Sequence, residues 1–225
     1  MKVLFFDFDG TLIDIHQREI EVIYDTVNHF GLSVSKPKVK QLCAQLPSYT
    51  DVFKETGLEF TDEAIQYWTA AFVKRYRFSS LREGVKQTLK ALLEDYPLHC
   101  ITSRETVAEV VLEMTFFQID GVFEHIITRE VAAKHFDLDR IPFYPYHEQR
   151  TKLYECALAI ANSNPEDAIV IGDMGRELQP ARELGITTIG LATYESRKEE
   201  LEAASDWVVS SIAELLDALP ELCVT

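Results

Sequence analysis

The chain has 225 residues, 47% hydrophobic and 26% charged, with nine glycines and eight prolines. That composition fits a soluble globular protein with a sizeable core and excludes collagen-like, repeat and disordered classes. Thirty-seven acids against 22 bases give a net charge of −15, which argues against nucleic acid and anionic membrane as partners, since both attract bases.

Residues 2–7 (KVLFFD) form a continuous apolar run that predicts a strand buried on both faces of a parallel sheet. Residues 15–81 then show helical spacing and no strand: Ile20, Ile23, Tyr24, Val27 and Phe30 recur until Gly31, residues 39–46 stop before Pro47, and Thr61 caps a helix over 64–78. Further strands are expected at 98–102, 125–128, 168–171, 186–190 and 207–209. Helices are expected at 85–93, 153–161 and 177–184, the last ended by Gly185. Residues 115–150 read as a long loop with Pro142 and Pro145 among aromatics. Strands alternating with helices predict an α/β doubly wound parallel sheet over residues 1–14 and 82–225, with an inserted all-helical domain over 15–81. Cys43, Cys100, Cys156 and Cys223 show no paired spacing and are expected to be reduced thiols of a cytoplasmic protein. The opening apolar run is too short for a signal peptide, and no stretch nears the ~18 apolar residues of a spanning helix.

The first strand ends in Asp7-Phe8-Asp9-Gly10-Thr11. Side chains alternate along a strand, so Asp7 and Asp9 point the same way, at the strand end where open parallel sheets bind ligands. Two carboxylates there are costly to desolvate unless a cation joins them, and oxygen-only ligands favour Mg²⁺. Gly10 allows a close backbone turn that exposes N–H groups to an anion. At the end of residues 168–171, Gly172 and Asp173 offer a third carboxylate, and Glu177 stands one helical turn further on. Thr102 and Ser103, after 98–101, either bind phosphate oxygens or cap the next helix.

The motifs DFDGTLID at 7–14, ITS at 101–103 and GDMGRE at 172–177 resemble those of the haloacid-dehalogenase-like hydrolase superfamily. The similarity extends to Arg82-Glu83-Gly84-Val85 and, in motif order and spacing, to its phosphoglycolate-phosphatase-like branch with a helical cap. The resemblance implies a Rossmann-like core and a phosphatase for small phosphorylated metabolites, working through an aspartyl-phosphate. It assigns Asp7 as nucleophile and Asp9 as general acid and base. Mg²⁺ would be held by the Asp7 carboxylate, the Asp9 backbone carbonyl and Asp173. Thr102 and the N–H groups around Gly10 and Ser103 would cradle the phosphoryl oxygens. Asp9 argues against dehalogenation, because the dehalogenases of this superfamily lack the second acid.

The family's lysine, usually in a KPxP-like stretch, has no direct counterpart, and Glu148 stands near its expected place. Lys152, after Thr151 as a possible cap, is taken as its substitute, with Lys134 and Arg150 as alternatives. Glu177 replaces the more usual aspartate. Arg18, Lys54, Arg75 and Arg77 are candidate substrate contacts from the cap, with Asp14 and His16 at its hinge. A monomer or homodimer is expected. A sugar phosphomutase on the same scaffold and a non-catalytic phosphate-binding relative are the competing readings.

Overall fold

A computed structural model describes residues 2–46, 49–143, 145–193 and 198–222. By its internal contacts the chain divides into one unit of residues 1–13 and 81–225 and another of residues 14–80.

The larger unit is an α/β core. Its sheet contains β1 (Val3–Asp7), β4 (Leu98–Ile101), β5 (His125–Ile127), β6 (Ala168–Gly172), β7 (Thr187–Leu191) and β8 (Trp207–Val209). The spatial order is β5-β4-β1-β6-β7-β8, and every adjacent pair is parallel. This is a Rossmann-like α/β fold. β1 lies inside the sheet, in register with β4 (Asp7 opposite Ile101) and with β6 (Phe6 opposite Ile171). All five residues of β1 and all five of β6 are buried, which is why these segments read as unbroken apolar runs.

Helices α5 (Val85–Leu92), α6 (Val107–Phe117), α7 (Arg129–His135), α8 (Tyr146–Ala161), α9 (Gly175–Glu183), α10 (Lys198–Ala204) and α11 (Leu215–Leu222) complete this unit. Phe5, Ile101, Ile127 and Val170 pack on one face with Leu153, Tyr154 and Ala157 of α8 and Leu178 and Ala181 of α9. Each Phe, Ile, Val or Leu side chain among these withdraws about 1.5–3 kcal/mol worth of apolar surface from water. Cys43, Cys100 and Cys156 are free thiols, whereas Cys223 and the stop at Pro47 lie outside the described residues. Among the described residues, no helix is long and apolar enough to cross a membrane.

The smaller unit holds α1 (His16–His29), α2 (Lys36–Gln45), α3 (Tyr49–Thr56) and α4 (Asp62–Lys74). Thr61 caps α4, its hydroxyl accepting from the Ala64 N–H at 3.3 Å. Phe53 and Phe60 stack at 5.1 Å, and Trp68 closes edge-on over both. Two corrections apply to this stretch. Helix α4 ends at Lys74, with a separate 3₁₀ turn at Tyr76–Phe78, and Ser80–Leu81 is a strand, β3. β3 pairs with β2 (Ile13–Asp14) in a two-stranded sheet at the two crossings between the units. Two-residue strands are too short to leave an alternating pattern in a sequence.

Candidate active site

The site lies in the α/β unit, where β1, β4 and β6 end. Asp7 is the last residue of β1 and is buried. Beyond it the chain reverses tightly: the Gly10 N–H donates to the Ile13 carbonyl at 2.8 Å, and Gly10 adopts a φ of 92°. A β-carbon on Gly10 would stand 2.5 Å from Asp173 Oδ1, so the turn and the approach of Asp173 both require glycine here. Arg82 secures the turn, its Nε donating to the Gly10 carbonyl at 2.6 Å. The Thr11 hydroxyl donates at 3.2 Å to Asp7 Oδ2 and, at the same distance, to Asp173 Oδ1, tying the ends of β1 and β6 together.

Asp7, Asp173 and Glu177 are all buried, and each places an oxygen within 4.8 Å of the others. Burial pushes the Asp7 carboxyl well above its usual range, and the charges of Glu177, Asp173 and Asp9 push the same way while Arg150 opposes them. Glu177 Oε2 is buried with no hydrogen-bond partner among the described residues. An oxygen-lined, electron-rich cluster with an unmet acceptor fits a hard divalent cation. The Asp9 carboxylate is not in this group. Arg104 grips it, Nε to Oδ2 at 2.6 Å and Nη2 to Oδ1 at 2.7 Å, and Arg104 Nη1 also reaches the buried Glu113 of α6 at 2.8 Å. Burial disfavours charge on Arg104, but Asp9 and Glu113 outweigh it and hold the guanidinium charged.

Thr102 and Ser103 follow β4 directly, beside the end of β1. Neither caps a helix; the cap of α6 is Thr106, whose hydroxyl accepts from the Glu109 N–H at 3.3 Å. The Thr102 hydroxyl accepts from the Arg104 N–H at 3.3 Å, and Arg129 Nε donates to the Ser103 carbonyl at 3.0 Å, so this loop is held from within and from α7.

The cation beside Asp7 is Arg150, not Lys152. Arg150 is fully buried; Nη1 lies 3.3 Å from Asp7 Oδ1 and 3.5 Å from Ser103 Oγ, and Nη2 donates to the Tyr154 hydroxyl at 2.8 Å. Tyr154 in turn donates to the Glu177 carbonyl at 2.8 Å. Burial works against the Arg150 charge, and Tyr154, Glu177, Tyr146 and Asp7 more than restore it. Lys152 instead rests its ammonium 4.9 Å over the Phe136 ring, and Lys134 is exposed and paired with Glu130 at 2.8 Å. The reason is helix register. Helix α8 begins at Tyr146, with Pro145 as its N-cap, so residues 146–150 of the expected loop are its first turns and Thr151 lies inside it, while the end of α6, β5 and α7 occupy much of the remainder. Tyr146, Arg150, Leu153, Tyr154 and Ala157 then share one face, and two residues carry Lys152 about 200° around from Arg150.

Sequence reasoning missed Tyr146, Arg104 and Glu113. The Tyr146 hydroxyl donates to Glu177 Oε1 at 2.5 Å and accepts from Ser103 Oγ at 3.5 Å, and burial with the nearby Glu177 pushes its pKa well up, keeping it a donor. The i, i+4, i+8 spacing of Tyr146, Arg150 and Tyr154 is the signal that would have found the helix start. In the helical unit, Arg18 is buried under Phe72, its Nε on the Phe72 carbonyl at 2.6 Å, and the half-buried Arg75 pairs with Asp25. Lys54 and Arg77 are exposed, and Asp14 accepts from the His16 N–H at 2.9 Å at the start of α1.

Residues 4–191 match the haloacid dehalogenase-like hydrolase family model. The chain belongs to that family. It is 26% identical to the glyceraldehyde 3-phosphate phosphatase of Pyrococcus furiosus, over 97% of this chain and 93% of the relative. It is 27% identical to the pyrophosphatase PpaX of Anoxybacillus flavithermus, over 97% of each. Among solved structures, a haloacid dehalogenase-like family protein of Streptococcus pneumoniae aligns with a TM-score of 0.77 at 22% identity, covering 97% of this chain and 98% of the other. A predicted phosphoglycolate phosphatase of Haemophilus somnus aligns at 0.70 and 21%, with 97% and 98% covered. At such identities these two likenesses speak for the fold alone.

Proposed function

We propose that this hydrolase is a Mg²⁺-dependent phosphatase that removes phosphate from a small phosphorylated metabolite through an aspartyl-phosphate on Asp7. The observation that carries this reading is the convergence of Asp7, Asp173 and Glu177 with a buried guanidinium, Arg150, where the adjacent strands β1 and β6 end. Family membership and the phosphatase names of its relatives support it.

Asp7, Asp173, Glu177 and the Asp9 backbone would hold the cation, which supplies positive charge to neutralise the nucleophile and the phosphoryl oxygens. Asp7 attacks phosphorus as the ester P–O bond breaks, and Asp9, turned away from Arg104 and protonated from solvent, gives that proton to the leaving oxygen. Asp9 then takes a proton from the water that displaces phosphate from Asp7. Arg104 stays paired with Glu113 while Asp9 turns to the leaving group, so no guanidinium is left buried and unpaired. Arg150 fills the part of the family's lysine, with Thr102, Ser103 and the N–H groups around Gly10 receiving phosphoryl oxygens. The residues of 15–81 act as a cap that sets substrate preference. A second acid beside the nucleophile, and an arginine in place of the lysine, favour hydrolysis over a non-catalytic phosphate-binding role.

The test is a panel of phosphorylated metabolites, including glyceraldehyde 3-phosphate and pyrophosphate, assayed with Mg²⁺ and with EDTA. Turnover should need Mg²⁺ and vanish in Asp7→Asn, and a wild type inactive across the panel overturns the reading. Adding glucose 1-phosphate separates a mutase, which would yield isomerised sugar phosphate instead of inorganic phosphate.

A further inference from the structure

A second cluster of metal-ligating side chains sits one layer below the site on the same face of the sheet. His99 in β4 and His125 in β5 are direct cross-strand partners, one layer below Ile101 opposite Ile127. The register of β1 sets His99 opposite Phe5 and Ile101 opposite Asp7, so this pair is two residues removed from the Asp7 layer. β5 is the edge strand, and the Glu124 N–H donates to the Leu98 carbonyl at 2.9 Å, pinning Glu124 beside the start of β4.

His99 is 1% exposed, and its buried Nδ1 has no hydrogen-bond partner among the described residues. Its Nε2 lies 3.9 Å from Glu124 Oε2, beyond hydrogen-bond range. Nε2 is the ring nitrogen on the Glu124 side, the atom that a cation shared with Glu124 would take. His99, Glu124 and His125 each offer a donor atom within 4.8 Å of the other two. Burial also lowers the His99 pKa, outweighing Glu124, so the ring is neutral and its lone pair available.

We propose that His99, Glu124 and His125 form a second metal site, for a late first-row divalent cation such as Zn²⁺, that clips edge strand β5 to β4. Two imidazoles and a carboxylate suit Zn²⁺ and not Mg²⁺, which prefers oxygen alone. The His99 and His125 rings now stack at 5.3 Å and 3° from parallel, so one must turn for both lone pairs to meet an ion. Phe5, 5.3 Å from His99 on its other side, fixes His99, and the exposed His125 is the ring that turns.

The experiment is a Zn²⁺ titration of the full chain in excess Mg²⁺, followed calorimetrically and by the ring-proton resonances of its six histidines. Wild type and Asp173→Asn should each bind one equivalent, with His99 and His125 resonances shifting together. His125→Ala, which leaves Mg²⁺-dependent turnover intact, should weaken that equivalent at least about tenfold, the loss typical of a removed ligand or its support. Equal Zn²⁺ binding in wild type and His125→Ala, or Zn²⁺ binding that Asp173→Asn abolishes, overturns the proposal.

Discussion

Arg150 and Lys152 differ by two positions and by their whole environment. Arg150 is fully buried among Asp7, Ser103 and Tyr154, and removing its charge strands Asp7 beside Glu177 and Asp173. Arg150→Met should therefore lower kcat by about 10²–10³, the scale of losing one preorganised donor at a reacting group. Arg150→Lys keeps the charge and loses the fork that spans Asp7 and Tyr154, so it should recover only part of the rate. Lys152→Ala should leave kcat unchanged and cost about 1 kcal/mol of stability, the scale of a half-buried cation over a ring. Steady-state kinetics on all three, with circular dichroism to establish folding, decide the matter; an inactive Lys152→Ala beside an active Arg150→Met would reverse the assignment.

At the scale of elements, the β1 loop is the tightest joint of the site. Gly10→Ala places a methyl 2.5 Å from Asp173 Oδ1 on a backbone whose φ of 92° already disfavours a side chain. Such strain costs about 1–3 kcal/mol, so urea melts should show that loss, and Asp173 should shift enough to remove most Mg²⁺-dependent turnover. A variant with wild-type stability and rate would mean that the loop relaxes freely. Joints of this kind were readable beforehand, because buried strands are unbroken apolar runs and the acids stand directly after them: β1 into Asp7, β6 into Asp173. The Arg104 clamp was not readable, since its partners Asp9 and Glu113 are 95 and nine residues away and nothing local marks them. The start of α8 was masked by the aromatics and prolines at 142–146, which look like loop, although the spacing of Tyr146, Arg150 and Tyr154 marks its buried face. β3 was hidden by being only two residues long.

Over the whole molecule, charge is divided unevenly. Residues 15–81 contain eight bases and eight acids, which leaves 14 bases against 29 acids for the rest of the chain. Three of those acids, Asp7, Asp173 and Glu177, are buried together. In the metal-free fold the Asp7 carboxyl is raised, by burial first and then by Glu177, Asp173 and Asp9. A carboxyl raised on folding contributes its full stability below its unfolded pKa, about 4, and loses it as pH climbs through the folded value. This group therefore makes the metal-free protein less stable at pH 8 than at pH 5, and a divalent cation should repair more at pH 8, where the ligands are ionised. A cation at a hundredfold its Kd adds about 2.7 kcal/mol. At about 2–4 °C per kcal/mol for a chain of this size, thermal melts with Mg²⁺ against EDTA should differ by about 5–10 °C at pH 8 and by less at pH 5. Asp173→Asn removes one ligand and one repelling charge, so its EDTA melt should rise above that of the wild type while its Mg²⁺ increment shrinks. Equal increments at the two pH values, or an Asp173→Asn increment as large as that of the wild type, would place the cation elsewhere than among these three carboxylates.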